Sequence, residues 1–194
     1  MMPLRLRSVL LSFSMLAFDC PLLAAELTPD LSAEQVAAES YARMTAGEWD
    51  SAAETFDPAA LKQFRDMIAP ILEGPMGEGM IGMFYGAGKT ADDIRKMNDT
   101  AFFAGFMRNI AGGVAVSLKG QEILGSVPEG ADRLHLVTRG SVEAMDIRMT
   151  QMEVVTMNRT PQGWRLALSG KFDGMAQAMR KAGEAKPEAP ATAP

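Results

Sequence analysis

His135 is the only histidine of the 194-residue chain, and its side chain is suited to general acid–base catalysis near neutral pH. It lies in the run Arg133–Thr138, where apolar and polar residues alternate as they do in a half-buried strand. Because successive side chains of a strand point to opposite faces, Leu134 and Leu136 lie on the face opposite His135. If the leucine face is core, His135 lies on the outer face. His135 is a candidate catalytic residue only if it faces a pocket.

Methionine is abundant, with 16 residues, and two trios repeat the same spacing: Met76, Met80, Met83 and Met145, Met149, Met152. Thioethers are soft ligands that suit Cu(I), so a copper site is one hypothesis. No histidine joins either trio, and the strand pattern places Met152 opposite Met145 and Met149. The favoured interpretation is that these flexible side chains fill the core or form an adaptable contact surface. We therefore predict no metal site and no cofactor.

Two further sets of residues could contribute to a binding site. Aromatic side chains could line a pocket, although their spacing is more typical of core packing; they are Tyr41, Trp49 and Tyr85. Arginines on successive predicted strands could bind an anion if they faced one cavity; they are Arg133, Arg139, Arg148 and Arg165. Cross-strand pairing with Glu143, Asp146 and Glu153 on a solvated sheet face is the favoured interpretation of these arginines.

The first 25 residues predict a signal peptide, and hence a periplasmic or secreted protein. A basic stretch precedes an apolar run over 9–18, and small residues stand just before Glu26. This order of segments is typical of secretory signals. The apolar run is too short for a stable membrane anchor. Cys20, the only cysteine, would be removed with the signal, so we expect no disulfide and no thiol chemistry in the exported protein.

The remaining sequence is predicted to form one domain over 26–175, followed by a disordered tail over 182–194. The tail is rich in alanine, proline and glutamate and contains no large apolar residue. The whole chain has 24 acidic and 19 basic residues, a formal charge of −5. This acidic balance argues against a nucleic-acid partner, because phosphate binding requires clustered lysine and arginine.

Capping patterns predict three main helices in the N-terminal half. Ser32 and Gln35 form a capping box. Asp57 directly precedes a proline, which is typical of a helix start. Thr90 caps a third helix that is expected to end at Gly112. Between the second and third helices, six glycines interrupt the pattern over 74–89, which predicts a fixed hairpin or a mobile loop there.

After Gly113 the pattern changes from helix to strand. Four extended segments are predicted, at Val114–Val127, Arg133–Thr138, Met145–Asn158 and Trp164–Leu168. Short connections between them favour an antiparallel meander with one face against the helices. The sequence therefore predicts an α+β fold with N-terminal helices packed on a curved four-stranded antiparallel sheet. We expect Trp164 to be buried between the sheet and the helices.

Two sequence patterns resemble those of the NTF2-like, or cystatin-like cone, superfamily. The segment Ala46–Pro58 is similar to its small-Gly-Asp-aromatic helix connection, and Gly163–Leu166 resembles its last strand, in which a glycine turn precedes a Trp-Arg-hydrophobic run. The likeness covers about 31–172 and is strongest to secreted bacterial members of unassigned activity. It implies a sheet that curls around the helices and leaves a conical pocket. Some members of the superfamily are enzymes, and others bind partners or dimerise.

No set of acid, base, nucleophile and metal ligands converges in this sequence. The residues therefore favour an exported, non-catalytic binding or assembly module with a conical pocket, whose occupant is a small apolar ligand or a protein partner. The alternative is an isomerase or hydrolase-like enzyme that uses a carboxylate in the cone or His135. Met83 and Tyr85 would contact the ligand or partner if residues 74–89 form a flap over the cone. A homodimer through the sheet is a further expectation.

Overall fold

The computed structural model describes residues 26–113, 116–144 and 147–184. The fold is α+β, as predicted: helices come first, and an open, four-stranded antiparallel sheet follows them. No helix in these three ranges combines the length and the apolar character that crossing a membrane requires. The predicted signal peptide with Cys20, the last ten residues of the predicted tail, and Met145 of the second methionine trio lie outside the described residues.

The helices and strands follow one another with short connections. The helices are α1 (Ala33–Ala46), α2 (Trp49–Ala53), α3 (Pro58–Leu72), α4 (Gly77–Tyr85), α5 (Ala91–Lys96), α6 (Asp99–Gly113) and α7 (Lys171–Glu184). The strands are β1 (Val116–Glu129), β2 (Arg133–Ala144), β3 (Ile147–Thr160) and β4 (Gly163–Leu166). The last helix, α7, extends three residues into the stretch predicted to be disordered.

The predicted helix starts are confirmed by side-chain caps. Ser32 N donates to Gln35 Oε1 at 2.8 Å, and Gln35 N donates to Ser32 Oγ at 3.2 Å, so the capping box of α1 is complete. Asp57 Oδ1 accepts a hydrogen bond from Ala59 N at 2.9 Å at the start of α3. Thr90 caps α5 in the same way. These caps satisfy backbone N–H groups that have no partner within the helix.

The single long helix predicted after Thr90 is wrong, because the chain breaks at Met97 into α5 and α6. Met97 has an extended backbone, with ψ of 141°, and Asn98 Oδ1 caps α6 by accepting from Ala101 N at 2.8 Å. The Arg65 guanidinium stabilises the break by donating to the carbonyls of Met97 and Ile94. One partly buried arginine thus satisfies carbonyls that a continuous helix would have paired internally.

The glycine-rich segment forms helix α4, so the predicted hairpin is wrong. Ile81 and Tyr85, four residues apart, lie on one helix face and are 2% and 6% exposed. Two glycines permit this packing. A Cβ at Gly77 would lie 1.8 Å from the Leu72 carbonyl oxygen, and a Cβ at Gly105 would lie 3.1 Å from the Tyr85 ring. Close approach of backbone and ring explains these glycines.

A phenylalanine cluster forms the core between the helices. Phe64 of α3 is fully buried, and its ring makes edge-to-face contacts with centroids 5.0–5.9 Å away. These neighbours are Phe102, Phe103, Phe106 and Phe172. Aromatic pairs of this geometry contribute beyond the area they bury. The helices therefore form a core that is largely independent of the sheet.

The sheet is the predicted meander, with strand order β1-β2-β3-β4. Leu136, Met157 and Leu166 lie on its inner face and pack with Val36 of α1 in a second buried cluster. Two register shifts interrupt the pairing of β1 with β2, at Leu118/Gly120 and Ile123/Gly125. Such irregularities bend a strand and increase its twist. Ile123 of the bent β1 packs against the second cluster.

Trp164 is only partly buried, so the prediction that it is core is wrong. It shares a strand face with Leu166, which is 7% exposed, but lies two residues nearer the β3–β4 turn. The Arg159 guanidinium on the opposite strand lies over its ring, 5.7 Å from the centroid. Trp164 therefore packs at the edge of the second cluster and interacts with this cation, instead of being fully buried.

Candidate functional site

A cleft of about 820 Å³ lies between α1, the start of α2, the end of α6 and the inner face of the sheet. We call it the cleft; its volume falls within the range of small-molecule sites, about 300–1,000 Å³. Apolar side chains form most of the wall: Ala37, Tyr41, Met44, Ala46, Trp49, Met107, Ile110, Ala111, Val155 and Leu166. Three of these wall residues, Trp49, Met107 and Ile110, also pack against the helical core.

Tyr41 and Trp49, two predicted ligand-binding residues, are wall residues of the cleft. Tyr41 follows Ala37 by one helical turn and is followed by Thr45 at the next, so one stripe of α1 faces the cleft. The Tyr41 hydroxyl accepts a hydrogen bond from Gly120 N at 2.9 Å, which connects α1 to β1. Trp49 is the first residue of α2 and is partly buried. Both side chains are therefore fixed by the elements that carry them.

The charged groups at the cleft are arranged in opposite pairs. Glu153 of β3 forms an ion pair with Lys171, the first residue of α7. Arg108 of α6 pairs with Asp50 of α2 at 2.6 Å. Each pair is partly exposed, so each contributes little to stability. Their consequence is local neutrality, because neither pair leaves an excess of one charge in the wall.

The other two predicted ligand-binding residues, Met83 and Tyr85, do not line the cleft. Met83 lies on α4 and is 69% exposed, whereas Tyr85 is buried against Phe102, with ring centroids 5.4 Å apart. The flap over the cone is also wrong, since Ile81 and Tyr85 of α4 lie in the helical core and no residue of the segment lines the cleft. Ile81 and Tyr85 lie in the core because residues four apart share one face of α4, and this face packs on α6.

His135 lies on the outer face of the sheet, away from the cleft, because Leu136 beside it is fully buried in the core. Its Nε2 donates to the Glu129 carboxylate oxygen Oε2 at 2.7 Å, and its Nδ1 shares a hydrogen bond of 3.0 Å with Thr156 Oγ1. The hydrogen bond from His135 is the main reason that the pKa of the Glu129 carboxyl is lowered. The alternative in which His135 acts within the cone is therefore wrong.

The predicted arginines do not converge on one cavity. Three form ion pairs with glutamates along the sheet: Arg133 with Glu129, Arg139 with Glu122, and Arg148 with Glu143. Cross-strand pairing is confirmed for all three, although only the Arg148–Glu143 pair involves an acid that the sequence suggested. The fourth, Arg165, is 8% exposed, and burial lowers its guanidinium pKa.

The described residues contain no cluster of three or more histidine, aspartate and glutamate side chains that could hold a metal ion. Sequence reasoning missed four polar residues of the cleft wall, namely Thr45, Arg108, Gln121 and Glu153. The alternation of β3 placed Glu153 on the same face as Val155 and so was an available signal. Which strand face would meet α1 was not evident from the sequence.

No family model, curated protein or solved structure matches the chain.

Proposed function

We propose that the protein is an exported, non-catalytic binding module that holds a small, uncharged apolar ligand in the cleft. The observation that carries this proposal is an open cleft of about 820 Å³ with a mostly apolar wall. Met44 and Met107 give part of that wall flexible thioether side chains, which adapt to ligands of different shape. Trp49 supplies a large aromatic surface at low entropic cost.

The ion pairs favour an uncharged ligand. A cationic ligand could approach Glu153 only by competing with Lys171, and an anionic ligand could approach Arg108 only by competing with Asp50. Either event leaves a charge without its partner near an apolar wall, which is unfavourable. Gln121 and the Tyr41 hydroxyl supply neutral hydrogen-bonding groups for a ligand with a hydroxyl or carbonyl.

One observation favours an enzyme as a second candidate, namely that the Glu153 carboxylate lies in the wall of the cleft. A carboxylate there is the feature that an isomerase of this general shape would use as a base. However, Glu153 is 40% exposed and paired with Lys171, without a second catalytic group beside it among the described residues of the wall. Glu153→Gln distinguishes the two functions, since it should abolish turnover in an enzyme but change neutral-ligand affinity less than about threefold in a binding module.

The proposal is tested by titrating the protein with N-phenyl-1-naphthylamine, an uncharged fluorescent probe, and with its anionic relative 1-anilinonaphthalene-8-sulfonate. We expect saturable binding of the uncharged probe, with weaker binding of the anion. Ala46→Trp introduces a large side chain at an exposed wall position and should weaken binding at least about tenfold.

Ala38→Trp is the matched control, because Ala38 lies on the same helix, is also exposed and is not a wall residue. It should leave probe affinity unchanged. Absence of saturable binding by the unmodified protein would contradict the proposal. Equal losses in both variants would show that the probe binds elsewhere or that the tryptophans perturb α1 in general.

We further propose that this cleft is the cone of an NTF2-like fold in a periplasmic or secreted protein. Support comes from the order of the elements, with helices before the meander, and from the segments around Trp49 and Trp164 that resemble the superfamily. Export is tested by the intact mass of the protein from the exported fraction. A chain that begins near Glu26 and lacks a thiol is expected, whereas retention of Cys20 would contradict the signal peptide.

A further inference from the structure

A second pocket, of about 520 Å³, opens between the end of α3, helix α4 and the start of α5. We call it the helical pocket. Its wall residues are Leu72, Glu73, Gly74, Glu78, Ile81, Lys89, Thr90, Ala91 and Arg95. None of them lines the cleft. We infer that the helical pocket binds a small zwitterion with an aliphatic side chain, an amino acid or a dipeptide, independently of the ligand in the cleft.

A mostly apolar recess of about 130 Å³ continues from the helical pocket into the helical core. The two spaces share five wall residues: Leu72, Glu73, Ile81, Ala91 and Arg95. The recess extends further, to Ile94 and Phe102, which are 4% and 0% exposed. An aliphatic group placed there is removed from water, which favours binding. The recess therefore suits the side chain of a ligand.

The charged residues of the recess already have partners. Arg65 donates to carbonyl groups at the break between α5 and α6, and its guanidinium lies 4.9 Å from the centroid of the Phe102 ring. Arg95 forms one ion pair with Glu73, at 3.4 Å, and another with Asp92. A charged group entering the recess would compete with these contacts and leave a polar group without its partner. An uncharged aliphatic group avoids this cost.

Two exposed charged residues of the helical pocket are available to a ligand. Glu78 of α4 and Lys89, just before α5, form no ion pair with any residue that the structure describes. The nearby Asp93 carboxylate accepts hydrogen bonds from Thr90 N and Oγ1, at 2.9 and 2.8 Å, instead of pairing with Lys89. The pocket thus presents one acidic and one basic side chain without a partner.

Opposite charges in one wall favour a ligand that carries both. The ammonium group of a zwitterion can pair with Glu78 while its carboxylate pairs with Lys89. An anion would be attracted by Lys89 but repelled by Glu78, and a cation would meet the reverse. An uncharged molecule would gain from neither. Because both side chains are exposed, each ion pair adds modest affinity, and we expect a Kd of about 1 mM or tighter.

NMR titration of the full chain with L-leucine tests this inference. The amide signals of Ile81 and Ala91 should shift saturably, because both residues line the pocket and the recess. Glycine lacks the side chain, leaves the recess empty and should bind at least about thirtyfold more weakly. N-acetyl-L-leucine lacks the positive charge and L-leucinamide lacks the negative charge. Each should bind about threefold more weakly than L-leucine.

Two variants assign each charge of the ligand to one residue. Glu78→Gln should weaken L-leucine binding about threefold but should not weaken binding of N-acetyl-L-leucine, which has no ammonium group. Lys89→Gln should weaken L-leucine binding to the same extent but should not weaken binding of L-leucinamide. Lys96→Gln is the matched control, because Lys96 is exposed on α5 and is not a wall residue. It should leave the affinity unchanged.

A dipeptide and a cleft variant complete the experiment. L-alanyl-L-leucine has its charges further apart, so tighter binding than that of L-leucine assigns the pocket to dipeptides, and weaker binding assigns it to amino acids. Ala46→Trp in the cleft should not change L-leucine affinity, which keeps this test separate from that of the proposed function. Absence of saturable binding of either ligand up to about 10 mM would overturn the inference. Equal affinities for L-leucine and N-acetyl-L-leucine would also overturn it, as would equal losses in Lys96→Gln and Lys89→Gln.

Discussion

The two buried clusters of this molecule differ in how completely they exclude space. The helical cluster around Phe64 is filled by interlocking aromatic rings, and its central residues are fully buried. The cluster between α1 and the sheet contains Val36, Leu136 and Met157, and it borders a cleft of about 820 Å³. The helical cluster borders the cleft only through partly buried side chains, Trp49, Met107 and Ile110, whereas two buried residues of the second cluster, Ala37 and Leu166, line it directly.

This difference indicates that stability and ligand binding in the cleft depend on different parts of the molecule. Close packing in a core contributes favourable contacts at every atom, so the helical cluster is the main source of stability. An open wall lacks such contacts until a ligand supplies them. Mutations in the helical cluster should therefore change mainly the free energy of unfolding. Mutations in the cleft should change mainly ligand affinity.

The largest expected effect is that of Phe64→Ala. Removal of a fully buried ring that contacts four other phenylalanines should lower the free energy of unfolding by about 3–5 kcal/mol. Val155→Ala, in the wall of the cleft, should cost about 1 kcal/mol because Val155 is only partly buried. Urea unfolding of both variants measures the difference. Equal losses would contradict the separation of the two clusters.

A smaller effect is expected from Tyr41→Phe, which removes the hydroxyl that joins α1 to β1. Loss of the 2.9 Å hydrogen bond from Gly120 N should cost about 1 kcal/mol. Amide hydrogen exchange at Gly120 should become faster while exchange at Phe64 stays unchanged. Faster exchange at both amides would show that the cleft and the helical core open together. That result would contradict the assignment of stability and binding to different parts of the molecule.

The smallest effect concerns the outer face, where His135 lowers the Glu129 pKa from its ordinary value of 4.5. A carboxyl with a lowered pKa in the folded state stabilises the fold above pH 4.5, and this contribution is lost as pH falls through the lowered pKa. His135→Ala should raise the Glu129 pKa and flatten the acid limb of the stability curve slightly. NMR titration of Glu129 measures the shift; an unchanged pKa would remove His135 as its cause.

Local signals were sufficient to predict most of the elements. The caps at Ser32, Asp57 and Thr90 depend on residues within one turn, so the sequence displays them directly. The four strands alternate clearly, and their short connections favour one simple order. Asn98 followed by Asp99 and Thr100 is also a helix-start pattern, but the apolar periodicity on both sides concealed the break.

Helix α4 was not predicted because its glycines are unfavourable for any isolated helix. Its stability depends on tertiary contacts, in which Ile81 and Tyr85 enter the helical core and Gly77 allows close approach to Leu72. The spacing of Ile81 and Tyr85 was visible in the sequence, but the sequence did not show that both side chains would be buried. Contacts between distant segments outweighed local propensity here.

The candidate site was predicted only in part. Tyr41 and Trp49 belong to the cleft, while Met83 and Tyr85 do not, although all four residues looked equally suitable in the sequence. The difference is set by how α4 packs on α6, which no local pattern specifies. Glu153 was assigned to a solvated face because the sequence did not indicate which side of β3 would meet α1.

The buried hydroxyl of Tyr85 means that this chain has not reached the greatest stability its own fold permits. Among the described residues, no group forms a hydrogen bond with that hydroxyl, and burial raises its pKa. A phenylalanine would fill the same space without a polar atom to desolvate, for a gain of about 1 kcal/mol. Removal of one oxygen atom would thus strengthen the helical half of the protein, and an engineer could use the gain to offset changes in the cleft.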